Sequence, residues 1–491
     1  MLFVLLCIFT APRAAQAHVG SKDVFETVDA GPYKLYVTIR MPNVIPGVAT
    51  VEVRSSGAKI NAIRITPLPI TGEASKHPPT SDPMKRSTAD PAFFTGSLWM
   101  MASGSWEVRF GIAGDAGEQT TSVPVPAIAL STLKMQRGLG ITLGVLGLFL
   151  VVSMAGIVAA AVRDARLEPN AIPSPDRKRR AVLATVGSLV FMSLLIWGGA
   201  TWWNVEAASY ALDVYHPLRV DPELSGNQLN LAVHAFRPDN DRRGRSNNDF
   251  LPDHGHLMHL YAIRDPEMDA AFHLHPTLFS AGDFRISLPN MPPGNYTLYG
   301  DVVHASGFPE TLVAKITVPS KMTGDALGLD DAAAYPQPLS KGQLGNSYKF
   351  SDGYTMIWDR PSTLTANTAY TFRFHLLDAD GSPASDMESY MGMAGHAAFV
   401  KTDGTVFAHT HPEGSAAMAA LMLANDNDGS DTKTHAGMSM DMPMDMDQHS
   451  EPISNTVEFP YGFPSAGRYR IFIQMKHGKT IETGVFDALV E

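Results

Sequence analysis

One cysteine occurs in 491 residues, Cys7, and it lies in an apolar opening segment, "MLFVLLCIFTAPRAAQA". Ala15-Gln16-Ala17 is a small-residue cleavage pattern, so residues 1–17 read as a secretory signal, although a basic start is missing. Cleavage there leaves a chain with no thiol. Disulfide scaffolding, thiolate metal sites and cysteine nucleophiles are then excluded. Leu6, in front of Cys7, is not the small residue a lipoprotein site needs. The formal charge of −11 argues against nucleic acid as a partner. Also missing are an acid–base pair, a nucleophile motif and a cofactor fingerprint, so an enzyme is not the expected reading.

What is present begins with two apolar windows, residues 138–162 and 181–203, which hold no charged residue. Each is long enough to cross a hydrocarbon core of about 30 Å as a helix. The basic loop between them, 163–180, carries six Arg or Lys and belongs on the cytoplasmic side. The expected localisation is therefore the bacterial inner (plasma) membrane, multi-pass, with both large regions in the periplasm or extracytoplasmic space. Trp202 and Trp203 suit an outer membrane interface.

Outside the membrane region the chain reads as short strands separated by Gly and Pro turns. Residues 18–128 contain "YKLYVTI", "ATVEVRS", "KINAIRI", "GSWEVRFGI" and "EQTTSVPV". The expected fold is mainly β with two transmembrane helices and three immunoglobulin-like β-sandwich domains outside the membrane, at 18–128, 208–320 and 345–491. Residues 129–207 form the membrane region, 321–344 a linker, and 413–455 a loosely held insertion whose composition cannot bury a core.

The last two domains resemble each other. In the first copy, "HGHLMHLYAIRDPEMDAAFHLHP" precedes "GNYTLYGDVVHASG"; in the second, "MGMAGHAAFVKTDGTVFAHTHP" precedes "GRYRIFIQMKHGKT". In this register His259, His273, His275 and His304 correspond to His396, His409, His411 and His477. Strand residues two apart share a face about 6.5 to 7 Å apart, so His273 with His275, and His409 with His411, are placed to chelate one ion. Neighbouring strands are expected to add His259 and His304 to the first set, and His396 and His477 to the second. A structural histidine network around the His-Pro turns is the competing account of each single residue.

Equal steps back from His259 and His396 match His254 with Met391 and His256 with Met393. Exchange of imidazole for thioether points to copper, as Cu(I), Cu(II) or both. Zinc is seldom bound through thioether. The segment "HAGMSMDMPMDMDQHS" adds Met438, Met440, Met442, Met444 and Met446 at alternate positions, bracketed by His435 and His449. It reads as a flexible chelator of soft ions, or otherwise as a low-complexity loop. Cleavage after Ala17 would expose His18, whose α-amine and imidazole together clamp Cu(II).

Residues 18–128, through "GPYKLYVTI", "VIPGVATVEVRSS" and "GSWEVRFGI", resemble the YtkA-like and FixH-like extracytoplasmic domains and, more distantly, the CopC copper carriers. The last copy, through "YMGMAGHAAFV", "HTHPEG" and "FPSAGRYRIFIQMKHG", resembles secreted bacterial domains associated with heavy-metal handling. The resemblance implies copper homeostasis, resistance or cuproenzyme assembly, with a copper transporter or cuproenzyme as partner alongside the lipid bilayer. CopC-like carriers start with a histidine, which His18 would match. A copper-dependent oxidoreductase and a structural, partner-binding membrane protein are the alternatives.

Overall fold

The computed structural model describes residues 22–168, 170–236, 245–426 and 453–491. The chain divides into two compact units, one made of Met1–Ile128 with His216–Glu491, the other of Ala129–Tyr215.

The smaller unit is a helical pair. Helix α1 spans Arg137–Asp164 and α2 spans Pro175–Ala211. The second helix starts where Pro175 occupies its first turn, a position that needs no amide donor, and the Ser174 hydroxyl caps the Arg177 amide. It therefore begins inside the basic segment rather than after it. Both helices are long and apolar enough to cross a membrane, and almost none of their side chains is buried by protein.

The larger unit consists of antiparallel sheets. In its first part, one sheet holds Val24–Ala30, Tyr33–Arg40, Gly47–Gly57, Phe93–Met100 and Lys85–Arg86 in that order; the other holds Asp82–Pro83, Ile60–Pro69, Gly104–Gly114 and Gly117–Ala127. Period-two burial, as at Leu35, Val37 and Ile39 or Val108, Phe110 and Ile112, turns one face of each strand into the core.

The remaining part repeats one plan. Its first copy pairs a four-stranded sheet (Arg219–Ser225, Gln228–His234, Asp283–Ser287, Thr277–Ser280) with a sheet ordered Phe250–Leu251, Gly294–His304, His259–Asp265, Ala271–Leu274 and Ala332–Ala334. The second pairs Ser347–Lys349, Thr355–Trp358, Tyr370–Leu377 and Thr456–Tyr461 with Met387–Glu388, Gly467–His477, His396–Lys401 and Phe407–Thr410. In both, the histidine-opened strand lies between the long Gly-to-His strand and the short strand of the H-x-H unit.

Those two histidine-bearing sheets are buried on both faces. Leu260, Ala262 and Leu298 face the core of the first copy, whereas Tyr261, Ile263, Ala271 and Tyr299 point the other way. There they pack on Ala398, Val400, Phe407 and Phe472 of the second copy. The Tyr299 and Phe407 rings stack with centroids 4.4 Å apart. Double burial explains why these strands read as apolar runs instead of alternating.

Two expectations need correction. Residues 321–344 are more than a linker, because Ala332–Ala334 adds an edge strand beside Ala271–Leu274. Small side chains let that strand fit within the interface between the copies. The insertion is not loosely held throughout, either. Gly414 bridges to Glu26, the Thr27 amide donates to the Glu413 carbonyl, and Met418–Asp426 forms helix α3 with Ala419, Ala420 and Ala424 buried. Ala, Leu and Met are good helix formers, a local signal that the Asp- and Ser-rich average masked.

Candidate metal centre

Strand parity decides which histidines meet. His259 shares its face with Tyr261 and Ile263, and His273 shares its face with Ala271, so both point into the interface between the copies. By the same count His396 follows Ala398 and Val400, while His409 follows Phe407. His275 and His411 lie one residue beyond their strands and continue the direction. The two sets therefore converge on one buried nest rather than forming one site in each copy. Ring centroids lie 5.2 Å apart for His259 and His409, 5.5 Å for His396 and His409, and 6.2 Å for His273 and His396.

His254 and His256 join from a tight turn. In Asp253-His254-Gly255-His256 the central residues have φ of 50° and 84°, and Asp253 and His256 exchange both backbone hydrogen bonds. Tyr390-Met391-Gly392-Met393 repeats the geometry with φ of 51° and 82°. Left-handed conformation at both positions is the two-residue turn that glycine favours at one of them. The turn places the His254 ring 4.7 Å from His411 and 5.1 Å from His396, and stacks His256 on His275 at 4.0 Å. Met391 and Met393 are buried in the matching turn, where the Met391 carbonyl accepts from His254 Nδ1.

Among the described residues three groups have ligand atoms mutually within 4.8 Å: two all-histidine triads in the nest, His254, His396 and His411, and His259, His273 and His275, and away from it Asp352, His477 and Glu482. The second triad is oriented by acceptors behind it. His259 Nε2 donates to the Asp253 carbonyl at 3.0 Å, and His275 Nδ1 donates to Asp331 at 3.0 Å. His273 Nδ1 donates to Gln474 Oε1 at 2.8 Å; that amide is held with its oxygen inward by Tyr261 and its nitrogen toward Thr483. A neutral imidazole has one N–H, so each of these bonds leaves a lone pair on the other nitrogen. The lone pairs of His259 Nδ1, His273 Nε2 and His275 Nε2 converge, the backing that ligating histidines almost always have.

Residues 349–491 match the family model described as a domain of unknown function (DUF8832). Among curated proteins nothing matches. Solved structures similar to the chain include the tetra-tandem repeat in the extending region of a large adhesion protein, at 7% identity over 92% of this chain and 72% of that one, with a TM-score of 0.17. The native E. coli alpha-2-macroglobulin is 10% identical over 96% of this chain and 23% of its own, with a TM-score of 0.21. Salmonella alpha-2-macroglobulin reacted with methylamine is 8% identical over 97% and 24%, with a TM-score of 0.19. The chain thus spans about a quarter of either macroglobulin.

Burial works against charge on six of the nest's rings. The imidazoles of His254, His259, His273, His396 and His411 are held below the ordinary histidine range, first by loss of water and then by the neighbouring histidines. His256 is lowered in the same way, with His275 as its main neighbour. Neutral imidazole is the form that ligates a metal. Buried ring nitrogens without a hydrogen-bond partner include both of His396, both of His411, and Nε2 of His254, His275 and His409. At roughly 1–3 kcal/mol for each unsatisfied buried polar group, a purely structural network so built would destabilise the fold. The arrangement is one that could hold a metal ion.

His304 and His477 stand apart, contrary to the four-histidine sets expected. His259 pairs with Asp301 and His396 with Gln474, so each last histidine lies three residues further along its strand. An odd step turns a side chain to the opposite face. His304 is held instead between Asp249 at 2.8 Å and Glu310 at 3.0 Å. Burial works against its charge, but those two carboxylates outweigh it and hold its pKa above the ordinary value. His477 stacks on Tyr354 and lies 3.2 Å from Asp352 and 3.3 Å from Asp386.

Sequence reading missed the acceptors behind the triads: Asp331 and Asp330, which meets His256 at 3.2 Å, together with Gln474 and Tyr390. The adjacent acids of "DDAAA", one residue from an edge strand, were the available signal. His18, His435, His449, Met438, Met440, Met442, Met444 and Met446 lie outside the described residues, as does the signal segment.

Proposed function

We propose that this chain is a membrane-anchored, extracytoplasmic copper-binding protein that buffers copper or delivers it to a transporter or cuproenzyme. The observation that carries the reading is the convergence of three imidazole lone pairs, on His259, His273 and His275, each fixed by an oxygen acceptor behind the ring. Facing them are His254, His396, His409 and His411 with orphaned nitrogens. An all-nitrogen donor set accepts copper, zinc, iron or nickel alike, so the choice of copper over zinc draws on the imidazole-for-thioether exchange of His254 and His256 with Met391 and Met393 and on the methionine run. The Met438–Met446 run and His18 read as accessory soft-ion and Cu(II) donors in the same scheme.

The membrane part of the proposal draws on α1 and α2, their near-complete lack of protein burial, and the basic residues between them. We read the paired sheets as immunoglobulin-like sandwiches, that of residues 18–128 being of the YtkA-like, FixH-like and more distantly CopC-like kind. A cavity of about 120 Å³ supports exchange with a partner. His259, His409 and His411 lie on its wall, beside Asp23 and Val24 of the first β part.

Full-length protein purified in detergent from its native membrane is the test. Metal analysis should find copper, and Cu(I) and Cu(II) should bind against competing chelators in preference to Zn(II). Preparations that carry no metal, and whose affinity is unchanged by His273→Ala with His409→Ala, would favour a structural partner-binding protein instead.

A further inference from the structure

We infer that the nest is a two-ion centre, with one copper ion in each histidine triad and His409 between them. The inference rests on the copper reading above and concerns how many ions the site takes and how they are coupled.

The donor atoms form two sets. A metal bonded to imidazole at about 2.0–2.1 Å gathers only nitrogens lying close to one another, and four is its usual complement. Each triad meets that condition, with ligand atoms within 4.8 Å. The nest holds more rings than one ion can use, and every one of its histidines has another histidine ring as a neighbour. The triads also touch. His254 and His259 have centroids 6.0 Å apart, His259 and His396 6.4 Å, and His273 and His396 6.2 Å, so rings of one set pack directly on rings of the other. His409 lies against both, at 5.2 Å from His259 and 4.8 Å from His411, with its buried Nε2 unpartnered.

Charge points the same way. Four carboxylates border the nest, each against one ring: Asp253 by His254 at 3.9 Å, Asp301 by His409 at 3.5 Å, Asp330 by His256 at 3.2 Å and Asp331 by His275 at 3.0 Å. These acids favour positive charge in the nest, Asp330 least because its side chain is about half exposed.

The test loads full-length protein in detergent with Cu(I) against a competing chelator and counts copper per chain. His275→Gln, His411→Gln and the double variant are compared with the parent. Differences between variants cancel any copper held at the methionine run or at His18. Each single variant should lose about one ion and the double variant about two. After oxidation, the parent's Cu(II) spin count should fall short of its copper count, because adjacent spins couple. Either single variant should restore the missing signal. A single variant that empties the nest completely, or a parent whose spin equals its copper, would overturn the two-ion centre while leaving the copper reading intact. Copper binding unaffected by either substitution would overturn both. The spin count of the parent needs no variant, so it decides even where a substitution unfolds the domain.

Discussion

His259 Nδ1 and His273 Nε2 face each other at 3.1 Å, and each ring has already committed its one neutral-state proton elsewhere, to the Asp253 carbonyl and to Gln474. Two lone pairs aimed at one point could be bridged by a cation. On the metal reading proposed above, that point is where an ion would be held. Gln474→Leu removes the nearer of two acceptors at His273 Nδ1, leaving the Tyr390 hydroxyl at 3.3 Å. It should weaken metal affinity by about 10- to 100-fold. It should also cost about 1–3 kcal/mol of stability, because the buried Tyr261 hydroxyl loses its acceptor. Chelator competition and thermal melting read the two effects separately, and an unchanged affinity would mean that Gln474 does not orient a ligand.

The lowered histidines make the metal-free fold acid-sensitive. A histidine held below its ordinary value takes up its proton more readily in the unfolded chain, so stability falls as pH drops below about 6.5, at up to about 1.4 kcal/mol per unit for each such group. Six groups act in this direction: His254, His256, His259, His273, His396 and His411. His304, held above its ordinary value, acts oppositely, and its contribution fades as pH rises through its folded value. The net expectation is a metal-free melting temperature that declines from about pH 7 to pH 5. A flat or rising profile would show that the nest is solvated and already charged.

How far this site could be read in advance depended on strand parity. His273 with His275 and His409 with His411 were legible, because a two-residue step within a strand always returns to one face. The order of parts in the two copies was legible as well, and the mainly β architecture followed from the short alternating strands. That the copies share one site was not. Nothing local distinguishes a sheet buried on one face from a sheet buried on two, except the loss of alternation in "HLYAIRD" and "HAAFVK". The exclusion of His304 and His477 needed the pairings His259 with Asp301 and His396 with Gln474, which are long-range facts. Asp331 was hidden for a related reason, since a segment that looks like a linker gives no sign of where it docks.

The copies are clamped by one buried ion pair. Arg470 makes a two-point contact with Asp487, at 2.8 and 3.0 Å, and both side chains are fully buried. Its remaining nitrogen donates at 3.0 Å to the carbonyls of Met268, in the first copy, and Gln337. Asp487→Ala strands the guanidinium and should cost about 3–5 kcal/mol. Because Arg470 reaches across, the loss should also loosen the interface in which the histidines meet. Hydrogen exchange should rise in both histidine-bearing sheets, and copper affinity should fall although no ligand was changed.

Deleting residues 434–450 removes the methionine run and leaves every described histidine of the nest in place. Capture of Cu(I) from dilute solution should weaken, while the melting temperature and the copper held by the nest stay as they were. Unfolding on deletion would show that the segment is structural.

The turn Asp253-His254-Gly255-His256 allows ligand and fold to be separated. His254 adopts a left-handed backbone, which costs a non-glycine residue roughly 1–2 kcal/mol, and asparagine tolerates that conformation better than histidine does. His254→Asn should therefore keep or slightly raise stability while removing a donor from the triad with His396 and His411. Gly255→Val does the reverse. At φ 84° a β-branched side chain is strained, so the turn should open, and His254 and His256 would leave the nest together. If the nest is a metal site, His254→Asn lowers copper affinity in a protein that melts no earlier than the parent, and Gly255→Val lowers both. If its histidines serve only the fold, His254→Asn should lower the melting temperature and leave copper affinity unchanged, an outcome that melting and chelator competition on one variant would expose.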